Sequence, residues 1–207
     1  MLSPLHFLKL EESNSMRLQK ATREKERGPA SSRGFSLIEL LIVVAIILII
    51  AAIAIPNLLR SRMAANDASA VGSVRTINTA EVNYVSTYND GYSSSLVFLG
   101  GAAGVAPTCN NAEIIDPVLS ASNASIKSGY NFTAGPGTVQ VTAAPAGCGQ
   151  KGYVDGYTII AWPVNVGTTG QRSFCSDGTG VIQYLATGVQ PAPAAPFCAG
   201  MTGPISQ

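Results

Sequence analysis

The sequence predicts an α+β protein in which a long N-terminal α-helix packs on a small antiparallel β-sheet. Two patterns predict the helix: an apolar run of about twenty residues ends at Pro56, and a one-sided apolar pattern continues from there to Gly91. A third pattern predicts the sheet, because short β-rich segments separated by Gly and Pro fill the C-terminal half. The part of the 207-residue chain beyond the apolar run is large enough for one domain and too small for two.

Residues 1–34 have the composition of a leader and not of a folded segment. Basic residues outnumber acidic ones in it, and the apolar run follows it directly. The basic residues are Lys9, Arg17, Lys20, Arg23, Lys25, Arg27 and Arg33, and the acidic residues are Glu11, Glu12, Glu24 and Glu26. Because basic flanks stay on the cytoplasmic side of a membrane, the N-terminus is expected in the cytoplasm and the rest of the chain outside it.

Residues 35–56 can cross a membrane once as a helix. From Leu40 to Ile55 there is no polar side chain. At about 1.5 Å of rise per residue, the run is about 30 Å long, which is the thickness of the hydrocarbon core of a bilayer.

Glu39 is an acid set among Leu and Ile, and it has two explanations. Ser36 and Glu39 have the spacing of a capping box, in which both side chains satisfy free N–H groups at the start of a helix. Alternatively, Glu39 is an intramembrane acid that serves a partner, because ionisable groups at such depth are usually functional. Physical reasoning from the residues leaves both explanations open.

The segment GFSLIE from Gly34 to Glu39, together with the apolar run and Pro56, resembles the processing site and N-terminal helix of type IV pilins and related pseudopilins. The resemblance covers residues 33–65. It implies that a prepilin peptidase cleaves between Gly34 and Phe35 and methylates the new amine of Phe35. It also implies that Glu39, together with Phe35, is needed for subunit assembly.

The same resemblance implies a structural role in a type IV pilus, a helical polymer of this chain and other pilins that serves adhesion or motility. The expected partners are the prepilin peptidase and an inner-membrane assembly platform. Before assembly the chain would cross the bacterial inner membrane once, and afterwards it would lie in an extracellular pilus on the cell surface. Because many leaders of the family are shorter, both Met1 and Met16 are candidates for the first residue. The expected division is a leader (1–34), an assembly helix (35–56), an amphipathic continuation (57–91) and a disulfide-stapled β-rich domain (92–207).

Residues 57–91 predict the amphipathic continuation of the helix. Apolar residues recur at three- and four-residue steps, while polar residues such as Asp67 and Ser73 fall between them. The apolar positions are Met63, Ala70, Val74, Ile77, Tyr84, Val85 and Tyr88. The sequence Asn89-Asp90-Gly91 supplies a C-terminal stop, because Asn and Gly adopt the left-handed backbone that ends helices.

Pro56 is expected to kink or loosen the helix, because it lacks an amide donor and clashes with the preceding turn. In the resembled family, a glycine eight residues before this proline helps the region to melt in the filament, whereas this chain has Leu48 there. This difference puts local melting, but not a kink, in question. The alternative that Pro56 only marks where the membrane ends remains open.

The C-terminal half predicts an antiparallel meander with one face available to the helix. Residues 93–107 predict an irregular connection, and residues 113–119 predict one or two helical turns near Pro117. The predicted strands are residues 130–133, 138–142, 157–162, 171–175 and 180–184. Asp177-Gly178 predicts a hairpin turn between the last two, and residues 191–196 are expected to be a coil held by Cys198.

Four cysteines, Cys109, Cys148, Cys175 and Cys198, follow the predicted span. Their wide spacing is unlike that of zinc, haem or thioredoxin-like sites, so on the exported side they predict disulfides. Three pairings are possible. We expect Cys109–Cys148 and Cys175–Cys198, because sequential pairing would staple the long connection and the tail separately.

No catalytic residue, metal site or cofactor is predicted. The histidine of the chain, His6, lies in the leader, so the segment from Phe35 onward has none for a catalytic triad or a metal. The Asp-Gly pairs that begin at Asp155 and Asp177 indicate turns and not calcium loops, because no run of alternating acids surrounds them. Asn123 and Asn131 begin N-x-S/T glycosylation patterns, which are frequent by chance.

The segment after the leader is slightly acidic and has no basic cluster beyond Arg62, so it has no electrostatic footprint for nucleic acid. Its basic residues are Arg60, Arg62, Arg75, Lys127, Lys151 and Arg172, and its acidic residues are Glu39, Asp67, Glu81, Asp90, Glu113, Asp116, Asp155 and Asp177. A role in DNA capture is therefore disfavoured.

Two classes of function remain, neither of them enzymatic. The first is a filament subunit, with a pseudopilin of a type II secretion system as the nearest alternative to a pilin. The second is a membrane-anchored exported binding module, in which the helix is only an anchor and the sheet holds a small ligand or carbohydrate. Cleavage between Gly34 and Phe35 distinguishes the two classes.

Overall fold

The computed structural model describes residues 34–101, 104–149, 151–191, 198 and 200–205. The predicted leader, apart from Gly34, and the predicted coil at residues 192–196 lie outside the described residues. The helices are α1 (Leu37–Tyr88), α2 (Leu96–Leu99) and α3 (Pro117–Ser120). The strands are β1 (Ser125–Lys127), β2 (Tyr130–Pro136), β3 (Tyr157–Pro163), β4 (Ser173–Asp177), β5 (Ile182–Leu185) and β6 (Gly203–Pro204). Contacts divide the chain into two units, Met1–Ala52 and Ile53–Gln207, and the sheet lies in the second.

Helix α1 confirms the prediction of one long N-terminal helix, and it continues through Pro56 to Tyr88. The predicted stop is also confirmed, because Asn89 (φ 51°) and Gly91 (φ 76°) have the left-handed backbone that ends a helix. Gly91 is needed for a second reason, since a Cβ there would meet the backbone of Tyr153. That backbone pairs with Tyr92, whose N–H donates to the Tyr153 carbonyl at 2.8 Å. The kink at Pro56 stays a prediction.

The described strands form one antiparallel sheet in the order β1-β2-β3-β4-β5-β6, so each strand pairs with the next along the chain. This is the meander that the sequence predicts. The hairpin turn between β4 and β5 is confirmed as well. The Asp177 carbonyl accepts from Gly180 N–H (2.8 Å), and the Asp177 side chain accepts from Thr179 N–H (3.0 Å).

The strand predicted at residues 138–142 is wrong, because these residues form a largely exposed loop with an isolated bridge between Gln140 and Tyr153. The carboxylate of Asp155 holds this loop in place of a strand ladder. It accepts from the Thr138 hydroxyl, from Thr138 N–H (2.7 Å) and from Val139 N–H (2.9 Å). These hydrogen bonds, the Thr138 hydroxyl first, lower the pKa of Asp155 to about 2. A side chain has therefore taken backbone groups that a strand would use.

Other element bounds differ more modestly from the predictions. Strands β4 and β5 begin two residues later than predicted, and β1, β6 and α2 were not predicted. Helix α2 interrupts the expected irregular connection, with Ser95 as its N-cap. The helical turn predicted near Pro117 is present as α3, and its N-cap Asp116 accepts from Val118 N–H at 3.1 Å.

The core of the second unit lies between the inner face of the sheet and one face of α1. Its buried residues are Ala70, Val74, Ile77, Ala80 and Tyr84 from α1, with Tyr130, Phe132, Ala134, Tyr157, Ile159, Ala161, Phe174 and Ile182 from the sheet. Leu96, Leu99 and Leu119 of α2 and α3 close one side of the same cluster. Each fully buried large apolar side chain contributes about 1.5–3 kcal/mol, so the packing of α1 on the sheet dominates the stability of this unit.

Both predicted disulfides are confirmed. Cys109–Cys148 joins the connection after α2 to the β2–β3 loop, and Cys175–Cys198 joins β4 to the C-terminal segment. The second bridge lies in a small cluster with Ile160. Ile160 alternates with the core residues Ile159 and Ala161 along β3, so this cluster occupies the outer face of the sheet.

Candidate functional site

The peptide bond predicted to be cleaved lies just before α1. Gly34, Phe35 and Ser36 are outside the helix, which begins at Leu37. Among the described residues beyond its chain neighbours, no atom lies within 4 Å of the position that a Cβ would take on Gly34, and Phe35 is 73% exposed. Helical backbone is a poor protease substrate, so a non-helical, uncrowded bond at this position is the geometry that a peptidase needs.

Glu39 lies in the first turn of α1 and is exposed. A carboxylate there is favoured by the positive end of the helix dipole. The capping-box explanation also requires the Ser36 hydroxyl to accept a hydrogen bond from the backbone N–H of Glu39. In the described part of the chain, the Ser36 hydroxyl makes no such bond, and only its backbone carbonyl joins the helix, by accepting from Leu40 N–H at 3.1 Å. The Glu39 carboxylate is therefore accessible to a group outside its own helix.

The first part of α1 is apolar on every side. Its large apolar side chains from Leu37 to Leu59 are 45–80% exposed, and an 18-residue window has a mean hydropathy of 3.3. By length and composition this segment can cross a membrane. Such a surface must be covered by lipid or by other apolar helices, because water makes its exposure costly.

Beyond residue 66, α1 is held to the sheet by a buried polar contact around Asp67. The Tyr130 hydroxyl donates to Asp67 Oδ1 (2.5 Å) and lies 2.9 Å from the Arg172 carbonyl oxygen. Arg172 Nε donates to Asp67 Oδ2 at 3.0 Å. Burial of the ring, followed by the neighbouring Asp67 carboxylate, raises the pKa of Tyr130. Tyr130 therefore keeps its proton and remains a donor to Asp67 at every physiological pH.

Asn78 makes a second polar contact between α1 and the sheet. Its Nδ2 donates to Ser176 Oγ of β4 at 2.8 Å, and its Oδ1 accepts from the Tyr157 hydroxyl of β3 at 3.1 Å. Because both amide atoms have partners on different strands, Asn78 specifies one rotation of the helix about its axis.

Glu81 is a fully buried acid near the end of α1. Its carboxyl group contacts Ser93, with Ser93 N–H donating to Oε2 (2.8 Å) and the Ser93 hydroxyl bonded to Oε1 (2.6 Å). Burial raises the pKa of Glu81 to about 7, although both contacts with Ser93 oppose this shift. The contact ties the chain that follows α1 back onto the helix, twelve residues earlier.

These buried polar residues were missed by reasoning from the sequence, which set Asp67 and Ser73 between the apolar positions. Both are 6% exposed on the face of α1 that meets the sheet. Spacing could have identified Asp67 and Glu81, since each lies seven residues from the apolar Val74 and all three fall on one face of a helix.

The sequence predicts no metal site in the described part of the chain, and the glycosylation pattern at Asn123 is of a kind that is frequent by chance. No group of three or more His, Cys, Asp or Glu side chains comes together there as metal ligands. The Asn123 side chain, which begins one glycosylation pattern, is used within the fold. Its Oδ1 accepts from Leu96 N–H (3.1 Å) and its Nδ2 donates to the Ala134 carbonyl (2.8 Å).

The fold and the N-terminal segment together define a class: an α+β protein whose N-terminal helix is first exposed and apolar and then packs on an antiparallel sheet. Residues 29–55 match the family model described as the prokaryotic N-terminal methylation motif. The chain is also similar to the type IV wide pilus major component PilA4 of Thermus thermophilus, with 47% identity over 62 residues. The aligned segment covers 30% of this chain and 41% of that relative, so the chain spans less than half of the relative's length. No solved structure matches the chain significantly.

The family-model match at residues 29–55 falls on the segment that carries the resemblance to type IV pilins and pseudopilins. The predicted resemblance to the family of type IV pilins and pseudopilins is confirmed. The pilin-like arrangement of a long helix and a small antiparallel sheet is confirmed as well.

Proposed function

We propose that the chain is a structural subunit of a type IV pilus that polymerises through the N-terminal part of α1. The observation that carries this proposal is the all-round exposure of the apolar segment from Leu37 to Leu59, behind a prepilin-type motif. A membrane anchor alone explains the apolar surface but not the acid at Glu39. In a filament both features have a role. The apolar surface packs against identical helices, and the acid pairs with a charge on a neighbouring subunit.

The proposal includes the processing and location expected from the sequence. A prepilin peptidase removes residues 1–34 and methylates the amine of Phe35, while residues 35–56 cross the bacterial inner membrane with the N-terminus in the cytoplasm. An assembly platform in that membrane then transfers the subunit into a filament with other pilins on the cell surface. Pro56 lets the helix bend between its membrane-spanning part and the part that packs on the sheet, residues 57–91. The β-rich domain, residues 92–207, forms the filament exterior.

A pseudopilin of a type II secretion system remains the alternative, because residues 33–65 resemble both kinds of protein. A membrane-anchored binding module is the more distant alternative. It would retain its leader or lose it by ordinary signal cleavage, and it would not be found in filaments.

Intact mass spectrometry of filaments sheared from the cell surface tests the proposal. We expect a subunit that begins at Phe35 and carries the added mass of one methyl group. Gly34→Leu should leave the leader attached and abolish filaments, because a bulky side chain blocks the bond, whereas the matched change Gly28→Leu inside the leader should not.

A start at another residue, for example after an alanine near Ala52, would make the segment an ordinary signal peptide and overturn the proposal. Correct processing with a subunit found only in the cell envelope would favour the pseudopilin.

A further inference from the structure

A groove of about 370 Å³ lies on the second unit, at the start of the part of α1 that packs on the sheet. It is lined by Arg60, Met63, Ala64, Asp67, Gln171 and Arg172. The first four come from α1, and the last two come from the segment before β4. Its volume is within the range of about 300–1,000 Å³ that is typical of small-molecule sites.

The two arginines give this groove a net positive charge. Arg172 Nε is bound to Asp67 at 3.0 Å, and its guanidinium lies 5.6 Å from the centre of the Phe174 ring and 6.0 Å from that of Tyr184. These contacts orient the guanidinium, and Arg172 is still 45% exposed. Among the described residues, neither its terminal nitrogens nor the side chain of Arg60 has a hydrogen-bond partner. One carboxylate, Asp67, therefore faces two cations.

The position of Arg60 in the chain places this charge at a membrane surface. Arg60 directly follows Leu59, the last large exposed side chain of the apolar segment. If that segment crosses the membrane as proposed above, Arg60 lies at the headgroup level of the exported side. Arginine is depleted on that side of membrane proteins, so a cation retained there, with a second one brought beside it by the fold, calls for an anionic partner.

We propose that this groove binds the phosphate of an anionic phospholipid headgroup while the subunit waits in the membrane. Guanidinium groups form paired hydrogen bonds with phosphate oxygens, and Arg172 is already oriented to do so. Met63 and Ala64 supply an apolar wall for the part of the lipid next to its phosphate. The lipid contact would seat the domain on the bilayer and leave the groove open again once the helix enters a filament. This proposal rests on the membrane-anchored state of the proposed function.

Native mass spectrometry of the full mature chain in detergent micelles tests the proposal, with phosphatidylglycerol and phosphatidylcholine titrated separately. We expect the protein to retain phosphatidylglycerol in preference. Arg60→Gln should lower the association constant for phosphatidylglycerol about fivefold, the effect of one arginine near an anionic surface, and leave phosphatidylcholine unchanged. Arg60 is exposed and its side chain has no hydrogen bond or ion pair among the described residues, so the variant should fold normally.

The matched control is Arg75→Gln, which removes an exposed arginine of the same helix outside this groove. Wild-type retention of phosphatidylglycerol in this control supports a localised site. An equal loss in both variants would show general charge attraction and overturn the proposal. Displacement of the lipid by millimolar inorganic phosphate would identify a free-anion site and overturn the lipid assignment.

The assay requires neither leader cleavage in the cell nor filaments, so its outcome is separable from the proposed function. Normal filaments together with no lipid preference would refute the lipid site alone. Release of the wild-type chain from membranes by sodium carbonate would instead refute the membrane-anchored state on which both depend.

Discussion

Glu81 shows how one buried residue makes the stability of this domain depend on pH. In the unfolded chain its pKa is near 4.5, and burial raises it to about 7 in the folded protein. The folded state therefore binds the proton more tightly, and this contribution to stability is complete below about pH 4.5 and lost as pH rises to about 7. Burial, and then nearby acids that include Glu81, raise the pKa values of Tyr84 and Tyr157, so both neighbouring phenols keep their protons over this pH range.

Glu81→Gln should remove this pH dependence. The amide mimics the protonated acid, since its oxygen can accept from Ser93 N–H and its nitrogen can donate to the Ser93 hydroxyl. We expect the variant to be more stable than the wild type at pH 8 by roughly 3 kcal/mol at most, given about 1.4 kcal/mol per pKa unit, and similar to it at pH 5. Chemical unfolding of the mature chain in detergent, followed at both pH values, measures the difference.

Glu113→Gln is the matched control, because Glu113 is exposed and its side chain has no hydrogen bond or ion pair among the described residues. It should follow the wild type at both pH values. A Glu81→Gln variant that is less stable than the wild type at pH 8 would show that the ionised carboxylate is the stabilising form.

At the scale of elements, the disulfide Cys175–Cys198 fastens the C-terminal segment to the sheet. Strand β6 is only two residues long, and its pairing with β5 joins Gln183 to Pro204 and Tyr184 to Gly203. So short a strand is unstable by itself. The bridge closes a loop of 23 residues and supplies the stability that so short a strand lacks.

Replacing Cys175 and Cys198 together by Ser should lower the free energy of unfolding by about 3 kcal/mol, from the loop-closure entropy, and release β6 from β5. Limited proteolysis should then cut the C-terminal segment while the rest of the domain stays intact. Replacing Cys109 and Cys148 by Ser is the matched control, since it costs a comparable free energy and leaves β6 protected. Resistance of the segment to protease in the first variant would show that strand pairing suffices.

The sequence predicts elements well where the signal is local and poorly where it is not. The stop at Asn89 and the turn at Asp177 depend on the backbone preferences of a few neighbouring residues, and both are present. The segment 138–142 has the composition of a strand, yet its backbone donors bind Asp155, seventeen residues after Thr138. A hydrogen-bond acceptor so far away in the sequence does not change the composition of residues 138–142, so the local pattern could not reveal it.

At the scale of the whole molecule, the accessible Glu39 carboxylate gives a prediction about assembly. Cleavage would leave a positive amine at Phe35, at the same end of α1. In a filament the amine of one subunit can approach the carboxylate of its neighbour, in surroundings where a lone charge is very costly. This attraction would offset the cost and set the axial step between subunits.

Glu39→Gln keeps the size and hydrogen-bonding capacity of the side chain and removes its charge. We expect normal leader cleavage, a normal amount of the protein in the membrane and few or no sheared filaments. Each is measured separately, by N-terminal sequencing, membrane fractionation and filament yield. Filaments at the wild-type yield would mean that the charge is not needed. Glu39 would then only stabilise the start of its own helix, by about 1 kcal/mol.

The sequence by itself determined the features that short segments encode: the apolar run, the prepilin-type motif, the end of α1 and the hairpin between β4 and β5. The tertiary structure alone decided which polar side chains are buried and which residues are their hydrogen-bond partners. Asp67 meets Tyr130 and Arg172, which lie 63 and 105 residues away along the chain. The physical reason is that composition and periodicity report preferences over a few turns or strands, whereas a buried carboxyl group is satisfied by whatever donor the packing of helix on sheet brings to it.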